Sequence, residues 1–115
     1  MSIKLERLES DFIREISKIL EEEIRDEDIY FVTITSCKIT SDLSYAKVYF
    51  TTLGDKEKTV NALNKASKYI RMLLSSRVEI RKMPEISFVY DEAIEYGNKI
   101  EGIIERINKD GESSK

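Results

Sequence analysis

The fold is decided by residues 54–82, which read GDKEKTVNALNKASKYIRMLLSSRVEIRK. Apolar residues recur in this stretch at helical spacing and, at about 100° per residue, form one stripe. Lys65, Lys68 and Arg71 lie on an arc roughly opposite that stripe, so reversing the charge of Lys68 and Arg71 together is expected to leave the fold intact. The segment is therefore predicted to pack on a core with one face and to present positive charge with the other. The stripe consists of Val60, Leu63, Ala66, Ile70, Leu73 and Leu74.

This stretch is long for a single helix in a small domain. Asn64, Ser67 and the β-branched residues around them have low helix propensity, which weakens its middle. We predict a bend near Ala66-Ser67 that divides the stretch into two helices. Asp55 is the expected N-cap of the first helix. Residues 77–84 are expected to form a connector, and Met83-Pro84 should be extended, because the residue before a proline disfavours the helical conformation.

Positive charge is concentrated in the same part of the chain. Residues 56–82 contain eight basic and two acidic residues, a net charge of +6, whereas the whole chain carries −3. An acidic protein with one basic quarter suggests an anionic partner. A charge run on a helix is also typical of a solvated face that meets no partner, and composition alone leaves both interpretations open.

The residues before this stretch predict a helix and a hairpin. Residues 3–25 show the apolar periodicity of an amphipathic helix. Residues 30–40 are β-branched and aromatic, which favours a strand. The inward face changes parity between Ile34 and Cys37, so we expect a β-bulge near Thr35-Ser36. Residues 41–44 form the predicted turn into a second, antiparallel strand over residues 45–53.

The residues after it predict one more strand and helix. Ile86, Phe88 and Tyr90 alternate as in a strand. Asp91 is expected to cap a last helix, whose apolar residues are Ile94, Ile100, Ile103, Ile104 and Ile107. Residues 1–108 should then form a single domain, followed by a disordered polar tail over 109–115. The order α-β-β-α(bent)-α-β-α predicts an α+β domain: a three-stranded mixed sheet with helices packed on one face.

Composition excludes several classes of function. There is no histidine, the usual general acid–base residue and metal ligand, and no glycine-rich phosphate loop. We expect no catalytic residue, metal or cofactor. No run of about 18 apolar residues is present, and MSIKLERLES lacks the apolar core of a secretory signal. The single cysteine, Cys37, cannot form an internal disulfide, so a soluble protein of a reducing compartment is expected.

A few side chains could still carry chemistry. Asp91, Glu92 and Glu95 could form an acid–base pair, but we interpret them as the acidic residues of a helix N-terminus, which the cap and the helix dipole stabilise. Cys37 has no histidine to activate it and is interpreted as a small apolar strand residue. Three tyrosines could stack on RNA bases, although exposed strand tyrosines are common in any protein. They are Tyr45, Tyr49 and Tyr69.

The element order is that of a type II KH-like domain, a single-stranded RNA module, but the GXXG loop of a normal KH domain is missing. The bend over residues 65–71, KASKYIR, instead resembles the ribosome-binding factor A family, whose KH-like fold bends at an alanine. The resemblance is strong in SDLSYAKVY (41–49) and in MPEISFVYD (83–91), and it continues through IEYG (94–97). Residues 32–35 and Arg14-Glu15 also fit, so the resemblance covers nearly the whole chain.

Two departures from the family are visible. Lys68 stands where the family usually has glycine, which would change the kink or add a phosphate contact. Asp26-Glu27-Asp28 stands where the family often has Asp-Pro-Arg, which removes a basic residue from that loop.

The resemblance implies a non-enzymatic assembly factor of the bacterial cytoplasm. Such a factor binds free 30S small subunits, assists late 16S rRNA maturation including 5′-end processing, supports growth in the cold and leaves before translation. A monomer without a small-molecule substrate, cofactor or membrane partner is expected. The rival hypothesis is a protein–protein adaptor that binds through its acidic amphipathic helices without RNA. The candidate RNA-binding residues are Lys65, Ser67, Lys68, Arg71, Arg77, Arg81, Lys82, Lys47, Arg7 and Arg14.

Overall fold

Six helices and strands build the part of the chain that a computed structural model describes, residues 3–93. In chain order they are α1 (Ile3–Glu22), β1 (Val32–Ile39), β2 (Tyr45–Thr52), α2 (Lys56–Lys65), α3 (Ser67–Ser75) and β3 (Glu85–Tyr90). The predicted order is confirmed over this range. The first helix ends three residues earlier than expected. Residues 92 and 93 are helical, and the rest of the predicted last helix and the predicted tail lie outside the described residues.

The sheet has the order β1-β2-β3, with β2 in the centre. β1 and β2 are antiparallel, whereas β2 and β3 are parallel, so the predicted mixed sheet is confirmed. Alternate side chains of β2 point to opposite faces, as strand geometry requires. Ala46, Val48 and Phe50 are buried under the helices, and Tyr45 and Lys47 are exposed on the other face.

The predicted β-bulge lies in β1. The pairing register shifts between Ile34 and Ser36, so Thr35 is the extra residue. The shift lets Ile34 and Cys37 both face the core, which resolves the parity conflict in the sequence. The Thr35 hydroxyl donates to Oδ2 of Asp91 at 2.5 Å, and so ties the bulge to the chain just after β3.

The turn between β1 and β2 is held by side-chain hydrogen bonds. The Thr40 hydroxyl donates to Oδ1 of Asp42 at 2.8 Å, and the backbone N–H of Ser44 donates to the same oxygen at 3.0 Å. These donors, the hydroxyl first, hold the pKa of Asp42 below its ordinary value. Leu43 has φ 62°, a left-handed conformation that this network stabilises.

The core lies between the sheet and the helices. Phe12 and Ile16 of α1, Leu63 of α2 and Ile70 of α3 are fully buried against the inner face of the sheet. Burial of each such side chain contributes about 1.5–3 kcal/mol, so the helices are fixed mainly by apolar packing. Cys37 belongs to this core, and burial raises the pKa of its thiol to about 12.

Candidate nucleic-acid interface

The bend between α2 and α3 is a single residue long. α2 ends at Lys65, α3 begins at Ser67, and Ala66 between them has φ −86° and ψ 0°. The Ala66 N–H still donates to the carbonyl of Ala62, so the chain turns without opening its hydrogen-bond ladder. The prediction of a bend at Ala66-Ser67 is confirmed.

Lys68 occupies an ordinary helical position just after the bend. Within residues 3–93, Phe31 and Leu43 are the non-glycine residues with a positive φ, and Lys68 is not among them. No glycine is therefore needed at this position in this chain. The substitution leaves the helix intact and adds an exposed ammonium group.

An asparagine fixes the bend against the sheet. Asn64 donates from Nδ2 to the carbonyl of Phe88 at 3.1 Å and accepts at Oδ1 from the N–H of Phe88 at 2.8 Å. β3 is an edge strand, and its outer backbone groups would otherwise have no strand partner. The amide of Asn64 takes the place of a neighbouring strand, two residues before Ala66.

Two lysines at the bend are exposed and uncompensated. Lys65 and Lys68 have no carboxylate within ion-pairing distance among residues 3–93. The first turn of α3, which includes Lys68, contains no acidic residue. Lys68 also lines a cleft of about 320 Å³, whose other residues are Arg71, Met72, Ser75 and Met83.

Arg71 is exposed at the surface, and its guanidinium also makes hydrogen bonds within the protein. Its Nη2 donates to the carbonyl of Met83 at 2.7 Å and its Nε to the carbonyl of Pro84 at 3.0 Å. The guanidinium therefore clamps the connector that leads into β3. The helical pattern gave no indication of these two hydrogen bonds, and Arg71→Glu would replace them with a carboxylate beside two carbonyl oxygens.

Arg77 and Arg14 are held by carboxylates of α1 and, for Arg77, also by Glu23 just after it. Arg77 lies 3.6 Å from Glu15, 3.8 Å from Glu22 and 3.5 Å from Glu23, and its side chain is 25% exposed. Arg14 pairs with Glu15 at 3.3 Å and with Asp11 at 3.1 Å, contacts that raise its pKa. These two arginines form one ion-pair network on α1 and are not brought to the bend.

The remaining candidates lie in three other places. Arg81 lines a cleft of about 900 Å³ between the first turns of α1 and the connector, and Lys82 places Nζ 3.3 Å from Oγ of Ser44. Arg7 is exposed on α1. Lys47 lies on the sheet face opposite the helices. The structure thus brings Lys65, Ser67, Lys68 and Arg71 together and distributes the others.

Two basic residues near these sites were not among the predictions. Lys38 is the register partner of Lys47 across β1 and β2, and Lys4 lines the same cleft as Arg81. Strand parity after the bulge would have placed Lys38 beside Lys47. No comparable signal in the sequence links Lys4 to Arg81, because the two are 77 positions apart in the chain.

Metal and membrane sites were also sought in the described range. No three His, Cys, Asp or Glu side chains of residues 3–93 are grouped so that they could hold a metal ion. No helix in this range is both long and apolar enough to cross a bilayer.

A three-stranded mixed sheet, helices on one face and a helix pair bent at an alanine define a KH-like domain without the GXXG loop. Comparison with known proteins gives the family. The family model for ribosome-binding factor A matches residues 4–104. Ribosome-binding factor A from Staphylococcus epidermidis is 46% identical over 111 residues, 94% of this chain and 96% of that protein. The chain belongs to the ribosome-binding factor A family.

A crystal structure and a fitted homology model have the same fold. The crystal structure of ribosome-binding factor A from Thermus thermophilus matches with a TM-score of 0.71 and 22% identity, covering 75% of this chain and 93% of that one. A homology model of the Thermus thermophilus factor, fitted into a cryo-EM map of a 30S complex, matches with a TM-score of 0.61 and 22% identity. It covers 81% of this chain and 97% of that one.

Proposed function

We propose that this protein is a non-enzymatic ribosome assembly factor that binds free 30S small subunits and assists late maturation of 16S rRNA, including processing of its 5′ end. Family membership supports the class of function. The likeness to a chain fitted into a map of a 30S complex supports the small subunit as the partner. We further propose that it acts in the cytoplasm as a monomer, without cofactor or small-molecule substrate, and that it supports growth in the cold.

The bend surface, formed by Lys65, Ser67, Lys68 and Arg71, is the proposed rRNA contact. The observation that carries this proposal is the pair of exposed lysines without carboxylate partners among residues 3–93, in a chain whose net charge is −3. Lysine contacts with phosphates depend on charge and are largely independent of base sequence. The contact should therefore weaken steeply as the salt concentration rises.

Charge reversal at the bend tests this contact. The variant Lys65→Glu/Lys68→Glu avoids Arg71, whose guanidinium donates hydrogen bonds to the carbonyls of Met83 and Pro84. We expect it to fold normally and to lose about 1–3 kcal/mol of affinity for purified free 30S subunits in a co-sedimentation titration. The matched control is Arg25→Glu/Lys58→Glu, which changes the net charge equally at exposed positions away from the bend. The control should bind nearly as well as the wild type.

The rival adaptor hypothesis gives a different result in the same titration. If both variants bind equally well and the affinity does not fall with salt, binding through the bend surface is refuted. An apolar protein–protein surface would then be favoured, because it releases few counterions.

A further inference from the structure

Three large apolar side chains cluster in solvent at the end of the sheet where β2 ends. We call Tyr30, Phe31 and Leu53 the aromatic ridge; they are 51%, 67% and 85% exposed. The two rings meet edge to face with centroids 5.0 Å apart, and the Leu53 N–H donates to the carbonyl of Phe31 at 3.4 Å. Single exposed apolar residues need no explanation, but a contiguous group of them marks an interaction site.

The backbone of the aromatic ridge is held in an unfavourable conformation. Phe31 has φ 55°, which costs a non-glycine residue about 1 kcal/mol or more. Contacts of the flanking residues hold this segment in place: Ile29 is buried, and the Thr52 hydroxyl donates to the carbonyl of Tyr30 at 3.4 Å. The ring of Phe31 lies in solvent and is not part of the apolar core.

Clefts flank the aromatic ridge on both sides. One, of about 290 Å³, has Leu20, Ile24, Ile29 and Val32 as its apolar wall, with Glu21 at its margin. The other, of about 360 Å³, is polar. It is lined by Glu27, Asp28, Tyr30, Asp55, Lys58 and Thr59.

The charge around the aromatic ridge is mainly negative. Asp26 accepts the N–H of Asp28 at 2.8 Å, and Asp55 caps α2 by accepting the N–H of Lys58 at 2.9 Å. The carboxylates of Glu27 and Asp28 have no cationic partner among residues 3–93. Lys58 and Arg25 offset part of this charge. An anion such as RNA is disfavoured at this surface, and a cation is attracted.

We propose that the aromatic ridge is a docking site for a lysine- and arginine-rich segment of another protein. An apolar side chain of the segment occupies the cleft beside Phe31, and a basic side chain lies over Tyr30 toward Glu27 and Asp28. A cation on an aromatic face near carboxylates gains from both contacts. The docking site lies at the end of β2 and is separate from the bend surface, so it does not depend on the proposed rRNA contact.

A peptide titration of the full-length protein tests this proposal. The probes are a short synthetic peptide rich in lysine and leucine, a counterpart with glutamate for lysine, and a short poly-uridine RNA. Amide chemical shifts report where each probe binds. We expect the lysine peptide alone to shift residues 29–32 and 53–55. Phe31→Asn, which tolerates the left-handed backbone, and Glu27→Lys/Asp28→Lys should each weaken binding by about ten-fold.

Tyr45→Asn is the matched control, because Tyr45 is an equally exposed aromatic residue at the opposite end of β2. It should bind the lysine peptide as the wild type does. If Phe31→Asn does not fold, Leu53→Ser replaces it, since Leu53 is almost wholly in solvent. The proposal is overturned if the lysine peptide shifts Glu21–Glu23 and not the ridge, if the ridge variants bind unchanged, or if either other probe binds the ridge equally well.

Discussion

Asn64 should contribute more to stability than its exposed position on α2 suggests. Asn64→Ala removes both hydrogen bonds to the backbone of Phe88, and alanine offers neither donor nor acceptor. At about 1 kcal/mol for each bond the loss is about 2 kcal/mol, plus a further cost if the part-buried Phe88 N–H finds no water. Alanine is the better helix former, and this offsets about 0.5 kcal/mol of the loss.

Asn61→Ala is the control for the gain in helix propensity when asparagine is replaced by alanine. Asn61 lies on the same helix, is exposed and makes no side-chain hydrogen bond among residues 3–93. The free energy of unfolding from denaturant titration should therefore fall by about 2 kcal/mol more in Asn64→Ala than in Asn61→Ala. Hydrogen exchange should report a less protected Phe88 amide in the first variant only. Equal stabilities and equal Phe88 protection would refute the idea that Asn64 closes the edge of β3.

Three further predictions concern single side chains. Burial raises the pKa of the Cys37 thiol to about 12 from 9.0, so the stability this thiol contributes is complete below pH 9 and is lost as the pH rises toward 12. The free energy of unfolding should therefore fall less steeply with rising alkaline pH in Cys37→Ala than in the wild type. Iodoacetamide should label the wild type only after unfolding. Hydrogen bonds lower the pKa of Asp42, so its contribution is present above its ordinary value of 3.8 and is lost as the pH falls through the lowered value. In Asp42→Asn the free energy of unfolding should not show this loss at low pH. The same dependence on low pH as in the wild type would contradict the prediction. Arg77→Ala should lower stability by at most about 1 kcal/mol, less at high salt, and should leave subunit affinity near the wild-type value. A selective loss of affinity would assign Arg77 to the RNA contact after all.

Local patterns in the sequence predict those features that depend on neighbouring residues. The bulge at Thr35 follows from a parity conflict within one strand, and the cap at Asp55 and the bend at Ala66 follow from propensities within one turn. Each is decided by residues close together in the chain, where strand and helix periodicity apply directly.

The features that could not be predicted depend on contacts between distant residues. In the sequence, Asn64 indicates only a weak helix former. Its hydrogen-bond partner, the backbone of Phe88, is 24 positions away, so neighbouring residues do not reveal the contact. A helical wheel places Arg71 toward solvent, but it does not show that its guanidinium meets two carbonyl groups, and nothing in the connector sequence shows that Arg77 meets α1. Phe31 gives no signal of its left-handed backbone, because the usual signal is glycine or asparagine.

Sheet topology separates the basic and acidic surfaces. β2 and β3 are parallel, so both begin at the same end, where Arg71 clamps the connector and Lys82 contacts Ser44. β1 is antiparallel to β2, so the acidic loop before β1 meets the end of β2 at the aromatic ridge. On a ribonucleoprotein, opposite charges at the two ends would favour one orientation, with the basic end toward RNA and the ridge toward a basic polypeptide. The directions of the strands, and not net charge alone, therefore set which partner each end could take.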